Sequence, residues 1–299
     1  MTPARGSVLS ILGTLGFSWK LSKRWQTYFG YLIQAANISK DVVKPSTTPD
    51  IIVINRRDAV VTDLTGALQA GFTYTNIEDN PFNPEDGFIA SVDVMFASPI
   101  FGGRDWWVRT DLSWQHFIPI PRTQNRLAVR YALNYGHAAP LRGLPFADTT
   151  SVPEVWRYFG GGTVDRGLRG IRPEEMLVDL ETIDQAAGTQ RIRYTPIGGH
   201  IRALGTLALQ VVSVRDFLGG KLAHALFYDF GILTQRWAYV QVPRDLRHTV
   251  GLNFIKWDIR LVTVSLGWAV LVPNAIAPGN VRANDPRYGR FVFDVGVTF

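Results

Sequence analysis

The segment RFVFDVGVTF, residues 290–299, alternates between two kinds of side chain. Every second position is apolar, and these positions are Phe291, Phe293, Val295, Val297 and Phe299. The intervening positions include an arginine, an aspartate, a glycine and a threonine. Because successive side chains of a β-strand point to opposite faces, the alternation predicts a strand between two different environments. At the edge of a soluble sheet such a strand would promote aggregation, whereas closure into a barrel within lipid removes the free edge.

The same alternation recurs along most of the chain. It is clear in eleven segments, which are residues 7–21, 24–36, 64–77, 87–98, 105–118, 126–136, 200–214, 221–233, 247–257, 258–272 and 290–299. The connections are alternately short and long, a pattern typical of bacterial outer-membrane barrels. Such barrels have even strand numbers, so a further strand is predicted near residues 50–61. The sequence thus predicts an all-β fold, an antiparallel transmembrane β-barrel of about 12 strands over residues 1–299.

The composition argues against several other classes of protein. Hydrophobic residues make up 46% of the chain and charged residues only 19%, below the usual quarter. No run of about 18 apolar residues supports a membrane-spanning helix. The formal charge of +6 is spread along the chain without a block of Lys or Arg, which argues against nucleic acid as a partner. The absence of cysteine excludes disulfides and thiolate metal sites and suits an exported protein.

A soluble β-sandwich or soluble barrel is the main alternative to a membrane barrel. It would bury its apolar face and would have shorter, more uniform loops. Several aromatic residues near the predicted strand ends fit the interface belts of a membrane barrel better, namely Trp19, Trp25, Trp106, Trp268 and Phe299. These residues favour a barrel in contact with outer-membrane lipid.

The N-terminal stretch, residues 1–17, has an arginine ahead of an apolar run and so resembles a short signal peptide. Apolar residues in and after it nevertheless share one face of a strand, namely Leu9, Ile11, Leu15, Phe17, Trp19 and Leu21. No convincing small-residue cleavage site follows. We interpret the stretch as a strand, and we expect the sequence to be a mature form or to lack its start.

The alternation fails across residues 138–199. Segments of this length without regular structure are usually functional or disordered when they occur inside a compact domain. Since the long loops of bacterial barrels face the cell exterior, we expect a long extracellular loop here.

Several segments, in this order, resemble the BamA/TamA-type superfamily of outer-membrane protein assembly factors, which includes bacterial surface antigens and Sam-type barrels. LTGALQAGFTYTNIEDNPFNPEDGFIASVDV (residues 64–94) is similar to a strand–turn–strand of that family. RYFGGGTVDRGLRGI (157–171) is similar to its long sixth extracellular loop. ALFYDFG (225–231), HTVGLNF (248–254) and FDVGVTF (293–299) are similar to its last strands. Each match is weak alone, but the ordered set is fairly specific.

The resemblance implies the C-terminal part of a sixteen-stranded barrel whose long loop folds back into the lumen. In the family, periplasmic POTRA domains precede the barrel. The resemblance covers no POTRA-like segment, and from it we expect the sequence to begin about where the family's sixth strand would lie.

The implied function is the insertion or translocation of outer-membrane proteins. The seam between the first and last strands would open and pair with a client strand, without nucleotide or metal. The partners would be client proteins, other subunits of an outer-membrane complex, or a separate POTRA-bearing or periplasmic protein. A second hypothesis is a structural or channel-forming outer-membrane subunit without assembly activity.

The resemblance also assigns site residues to the long loop, where an Arg-Gly tip docks on the inner barrel wall in the family. The neighbouring Gly-rich segment corresponds to Phe159, Gly160 and Gly161. Arg169, followed by Gly170, matches the tip by residue type, whereas Arg166 matches better by its spacing from the glycines. Arg169 is favoured because a hydrophobic residue precedes it, as in the family.

A guanidinium inside a barrel needs carboxylate or carbonyl partners, which arginine can hold bidentately. Asp229 lies in the matching wall strand and is predicted to point inward and to pair with the tip arginine. Two positions depart from the family, since Ile171 replaces an aromatic residue and Ala208 stands where an acid is common. The resemblance further implies that the terminal strand carries the assembly signal, formed by Phe291, Phe293, Val295, Val297 and Phe299.

Residue types suited to catalysis or metal binding form no recognisable pattern. The five histidines are far apart, the Gly-rich segment lacks the GK[ST] ending of a phosphate loop, and no GxSxG motif occurs. We therefore expect neither enzymatic activity nor a metal site nor a cofactor.

Overall fold

The computed structural model describes residues 6–44, 53–77, 86–121, 123, 127–145, 152–159, 167–171, 178–183, 191–196, 198–259, 262–272 and 290–297. Within these ranges the fold is almost entirely β, with one short α-helix, α1 (Val242–Asp245), and a few 3-10 turns. None of the helices in these ranges has the length and apolar character needed to cross a membrane.

The strands are β1 (Gly6–Lys20), β2 (Trp25–Lys44), β3 (Val53–Thr75), β4 (Gly87–Ala97), β5 (Trp107–Pro119), β6 (Leu127–Pro140), β7 (Val178–Ile183), β8 (Arg191–Pro196), β9 (Ile201–Phe217), β10 (Gly220–Thr234), β11 (Arg247–Ile259), β12 (Val262–Val272) and β13 (Arg290–Val297).

In the described part of the chain, the main sheet has 11 strands in the order β1-β2-β3-β4-β5-β6-β9-β10-β11-β12-β13. Every neighbouring pair is antiparallel, including β6 and β9 on either side of the long loop. Within the described residues, β1 and β13 each have a single neighbour, so the sheet is not closed. The predicted all-β, antiparallel fold is confirmed.

The twelfth strand predicted near residues 50–61 is wrong. From Val53 onward this stretch is the start of β3, which pairs with the far end of β2 and runs on to Thr75. β3 pairs with β4 only from Ala67, so its first part extends beyond the neighbouring strand. Four consecutive polar residues, Asn55, Arg56, Arg57 and Asp58, interrupt the alternation here, so the sequence did not show that this stretch continues into residues 64–75.

The segment predicted as a long loop also contains regular structure. β6 continues as far as Pro140, and β7 and β8 form a separate two-stranded hairpin between Val178 and Pro196. Tyr158 and Gly199 form an isolated bridge that ties the loop to the residues just before β9.

The two faces of the main sheet have opposite character. One face, here called the outer face, exposes large apolar side chains, among them Phe72, Val92, Leu112, Trp114, Leu133, Leu207, Leu226, Leu252, Phe291 and Phe293. The opposite face, here called the inner face, carries polar and charged side chains with low exposure, among them Arg130, Arg202, Gln210, Asp229, Asn253 and Ser265. Apolar side chains outside and polar ones inside are the arrangement of a barrel in lipid.

Aromatic rings form a continuous row where β2 to β6 meet the short turns. The row contains Trp25, Phe72, Tyr74, Phe88, Trp114, His116 and Tyr131, with centroid separations between 4.4 and 6.1 Å. Such rings are enriched where a membrane barrel crosses the lipid headgroups.

The turn between β9 and β10 consists of Leu218 and Gly219, which both have positive φ values of 50° and 78°. Two-residue hairpin turns in which both residues have positive φ favour Asn-Gly. A leucine is strained in this conformation because its Cβ lies too close to the backbone. Replacing exposed Leu218 with asparagine should stabilise the folded protein by about 1 kcal/mol. The urea midpoint of unfolding from lipid vesicles measures this, with Leu218→Ala, which keeps the strain, as control. A lower midpoint for Leu218→Asn would contradict the prediction.

Candidate functional site

Asp229 is directed to the inner face by the alternation of β10. Leu226 and Tyr228 are exposed on the outer face, whereas Phe227 and Asp229 are buried on the inner face. In the sheet register, Asp229 lies opposite Thr206 of β9. The carboxylate is thus held on a central strand with neighbours on both sides, a rigid position for a charged side chain.

Arg169 binds this carboxylate with both ends of its guanidinium. Arg169 Nε donates to Asp229 Oδ2 at 2.7 Å, and Arg169 Nη2 donates to Asp229 Oδ1 at 2.5 Å. The backbone N–H of Arg169 also donates to Oδ2, at 3.3 Å, and the Thr206 hydroxyl donates to Oδ1 at 2.9 Å. With Arg169 only 3% and Asp229 only 1% exposed, this is a buried bidentate pair with its carboxylate oxygens satisfied.

The guanidinium also lies flat on an aromatic ring. The Arg169 Cζ atom is 3.4 Å from the centroid of Phe227, close enough for a cation–π interaction. Phe227 in turn packs on small residues, since it contacts Ala208 and Ala269 and covers Gly251, where any Cβ would overlap its ring. The small side chain of Ala208 therefore makes room for the ring beneath the arginine.

The residues around Arg169 fix the loop tip by close packing. Gly170 has φ +84°, and a Cβ there would lie 2.7 Å from the Cβ of Ala269 on β12. Leu168 and Ile171 are buried against Leu204 of β9. Ile171 is thus an apolar contact of the docked tip.

Replacing Gly170 with alanine should weaken docking of the tip by about 1–3 kcal/mol, because the new methyl group meets Ala269 and the backbone is strained. The measurement is the rate at which an added protease cleaves the long loop of the folded protein. Gly143→Ala is the matched control, since Gly143 has a similar φ of +77° but no atom within 4 Å of its missing Cβ. Equal cleavage rates for the two variants would contradict the prediction. They would show that backbone strain at a positive φ accounts for the whole effect and that the tip is not closely packed against Ala269.

The other predicted site residues lie in several places. Arg166, Gly160, Gly161 and Phe299 are outside the described residues. Phe159 is half-buried near the start of the loop, and Val297 is the last residue of β13. Phe291, Phe293 and Val295 are exposed on the outer face of β13.

Sequence reasoning missed Thr206 and Gly251 as parts of this site. Thr206 could have been found by asking which hydroxyl on the neighbouring strand faces Asp229, which requires the register of β9. The role of Gly251 depends on a ring from the adjacent strand, and a single glycine in a strand gives no signal of that. Among the described residues, no group of three or more His, Asp or Glu could hold a metal ion.

Comparison with known proteins gives a family and a fold. The Omp85 superfamily domain matches residues 5–299. BamA from Haemophilus ducreyi lacking POTRA domains 1-3 has a similar structure, with a TM-score of 0.65 and 15% sequence identity over 99% of this chain and 55% of that chain. CdiB from Acinetobacter baumannii is also similar, with a TM-score of 0.51 and 11% identity over 98% of this chain and 42% of that chain.

Identities this low show a likeness of fold alone, and the chain spans about half the length of these two solved proteins. No curated protein matches the chain.

Proposed function

Since this chain belongs to the Omp85 superfamily, we propose that it is an outer-membrane β-barrel that helps to insert or translocate outer-membrane proteins. The observation that carries this proposal is the buried Arg169–Asp229 pair, which fastens a loop tip to the inner face near the C-terminal strands. Such a contact is expected in a barrel whose wall must be supported from within while its edge opens. The exposed apolar side chains of the outer face support a location in the outer membrane.

The mechanism needs no nucleotide, metal or catalytic group. An exposed strand edge presents backbone N–H and C=O groups, and a client segment that pairs with the edge becomes an added strand. Among the described residues, β13 pairs with β12 over eight residue pairs, whereas β1 pairs with β2 over fifteen, so β13 is joined to the sheet over a shorter length. We infer that a client strand pairs first at β13, while the docked tip holds β9, β10 and β12 in place.

The test is an assembly assay in lipid vesicles that contain the purified protein. A denatured outer-membrane barrel is diluted into the vesicles, and its folded fraction is followed by heat-modifiable migration on gels. The wild-type chain should accelerate folding of the client relative to empty vesicles, and Asp229→Ala should remove most of this acceleration. No acceleration by the wild-type chain would overturn the proposal.

Crosslinking can locate the client strand, since the chain has no cysteine of its own. A single cysteine is introduced at exposed Val295 of β13, or at exposed Leu15 of β1 as comparison. The terminal strand of the client carries a second cysteine. An oxidant added during assembly should form a disulfide between the client and position 295, whereas the same oxidant added after the client has folded and left should form none.

The second candidate is a structural or channel-forming outer-membrane subunit of a larger complex. A polar cavity of about 620 Å³ on the inner face, lined by Asp93, Arg109, Asp111 and Arg202, favours this candidate. Steady ion conductance in planar bilayers, together with no effect on client folding, would support it over the assembly function.

A further inference from the structure

A second part of the long loop, residues 152–159, packs against the inner face away from Arg169. Val152 and Tyr158 are completely buried, and Trp156 is partly buried against the same apolar cluster. The backbone of Tyr158 exchanges hydrogen bonds with Gly199, at 2.8 and 2.7 Å. This segment is therefore held by side chains and main chain alike.

The ring of Tyr158 lies between two guanidinium groups. The Cζ atoms of Arg109 on β5 and Arg202 on β9 lie 4.4 and 4.8 Å from the ring centroid. The ring rests on Gly136 of β6, where a Cβ would be only 2.5 Å from the ring. Two cation–π contacts and a glycine platform fix this aromatic side chain on three strands at once.

The two arginines are themselves fixed by one carboxylate. Arg109 Nε donates to Asp111 at 2.9 Å, and Arg202 Nη2 donates to the other oxygen of Asp111 at 3.4 Å. Burial raises the pKa of Tyr158, so its phenol stays protonated and donates to the carbonyl of Thr110 at 3.2 Å. The cluster is thus preorganised to receive a neutral aromatic side chain.

Trp156 extends the contact of this segment along the inner face toward β3. Its indole N–H donates to the Thr65 hydroxyl of β3 at 3.1 Å, and its ring packs on Trp107 at a centroid distance of 5.4 Å. Trp156 also lines the polar cavity of about 620 Å³, together with Arg109 and Arg202. The segment therefore crosses the inner face from β3 to β9 at the border of this cavity.

We propose that Tyr158 and Trp156 form a second anchor of the long loop, independent of Arg169, and that the segment they fix limits ion flow through the cavity that it borders. The proposal goes beyond the assembly function, because it concerns the attachment of the loop and not the client. Arg202 contacts Tyr158, and Thr206 contacts Asp229, four residues further along β9. That spacing corresponds to about 13 Å along a strand, beyond the range in which substitutions usually couple.

The experiment compares Tyr158→Leu, Tyr158→Phe, Arg169→Ala and the double variant Tyr158→Leu/Arg169→Ala in planar lipid bilayers and under limited proteolysis. Tyr158→Leu removes both cation–π contacts and should increase cleavage within residues 141–159 by about tenfold and raise ion conductance. Tyr158→Phe keeps the ring between the arginines and should behave nearly as the wild type. Arg169→Ala should increase cleavage around residues 167–171 and leave residues 141–159 protected.

The effects of Tyr158→Leu and Arg169→Ala on cleavage should multiply in the double variant, as expected for independent anchors. Equal cleavage and conductance for Tyr158→Leu and the wild type would overturn the proposal, and so would a double variant no worse than either single one. Heat-modifiable migration establishes that each variant is folded. Should Tyr158→Leu not fold, Trp156→Phe provides the same test, because it keeps most of the packing and loses the bond to Thr65.

Discussion

Replacing Asp229 with alanine should release the loop tip and lower the free energy of unfolding by about 3–5 kcal/mol, because it leaves the buried Arg169 guanidinium without a carboxylate. A water-filled interior around the tip would reduce this effect, but both side chains are almost fully buried. The measurements are the urea midpoint in lipid vesicles and the rate of protease cleavage around residues 167–171. Asp229→Ala should lower the urea midpoint and also raise the cleavage rate, because docking of the tip is part of folding.

Two further variants test whether the residues act as a pair. Arg169→Ala should resemble Asp229→Ala, and the double variant should be little worse than either, as coupled residues behave. Arg169→Lys should recover only part of the stability, because an ammonium cannot reproduce the two parallel hydrogen bonds. Fully additive losses in the double variant would show that the two side chains do not depend on each other.

Replacing Phe227 with alanine should destabilise the protein by about 3–5 kcal/mol, the usual effect of deleting a buried aromatic side chain. The change removes the ring on which the Arg169 guanidinium lies and opens a space above Gly251. Cleavage of the loop tip should therefore accelerate along with the loss of stability. Chemical denaturation and limited proteolysis measure the two effects on the same sample.

Leu226→Ala is the control for this prediction, because Leu226 is the preceding residue of β10 but is exposed on the outer face. It should leave the loop tip protected. Phe227→Leu separates packing from the cation–π contact, since leucine fills much of the space but offers no ring. If Phe227→Leu protects the tip as well as the wild type, the ring contributes only by its volume.

The fold could be predicted from the sequence because the sheet separates two environments, which imposes period-two alternation on each strand. The same alternation predicted that Asp229 lies on the inner face, and the family resemblance favoured Arg169 over Arg166 as its partner. The prediction failed at the start of β3, where the strand extends beyond β4 and four consecutive polar residues, 55–58, interrupt the alternation.

The Tyr158 cluster was not predictable, because Arg109, Gly136 and Arg202 come together only through the pairing of β5, β6 and β9.

The strand count has a consequence for strand direction. The described ranges form an antiparallel sheet of 11 strands, so β1 and β13 at its two ends run parallel to each other. If they met directly, they would form a parallel pair, with slanted hydrogen bonds unlike those of every other pair in the sheet. A strand that pairs with the free edge of β13 as the described strands pair with one another would instead run antiparallel to β13.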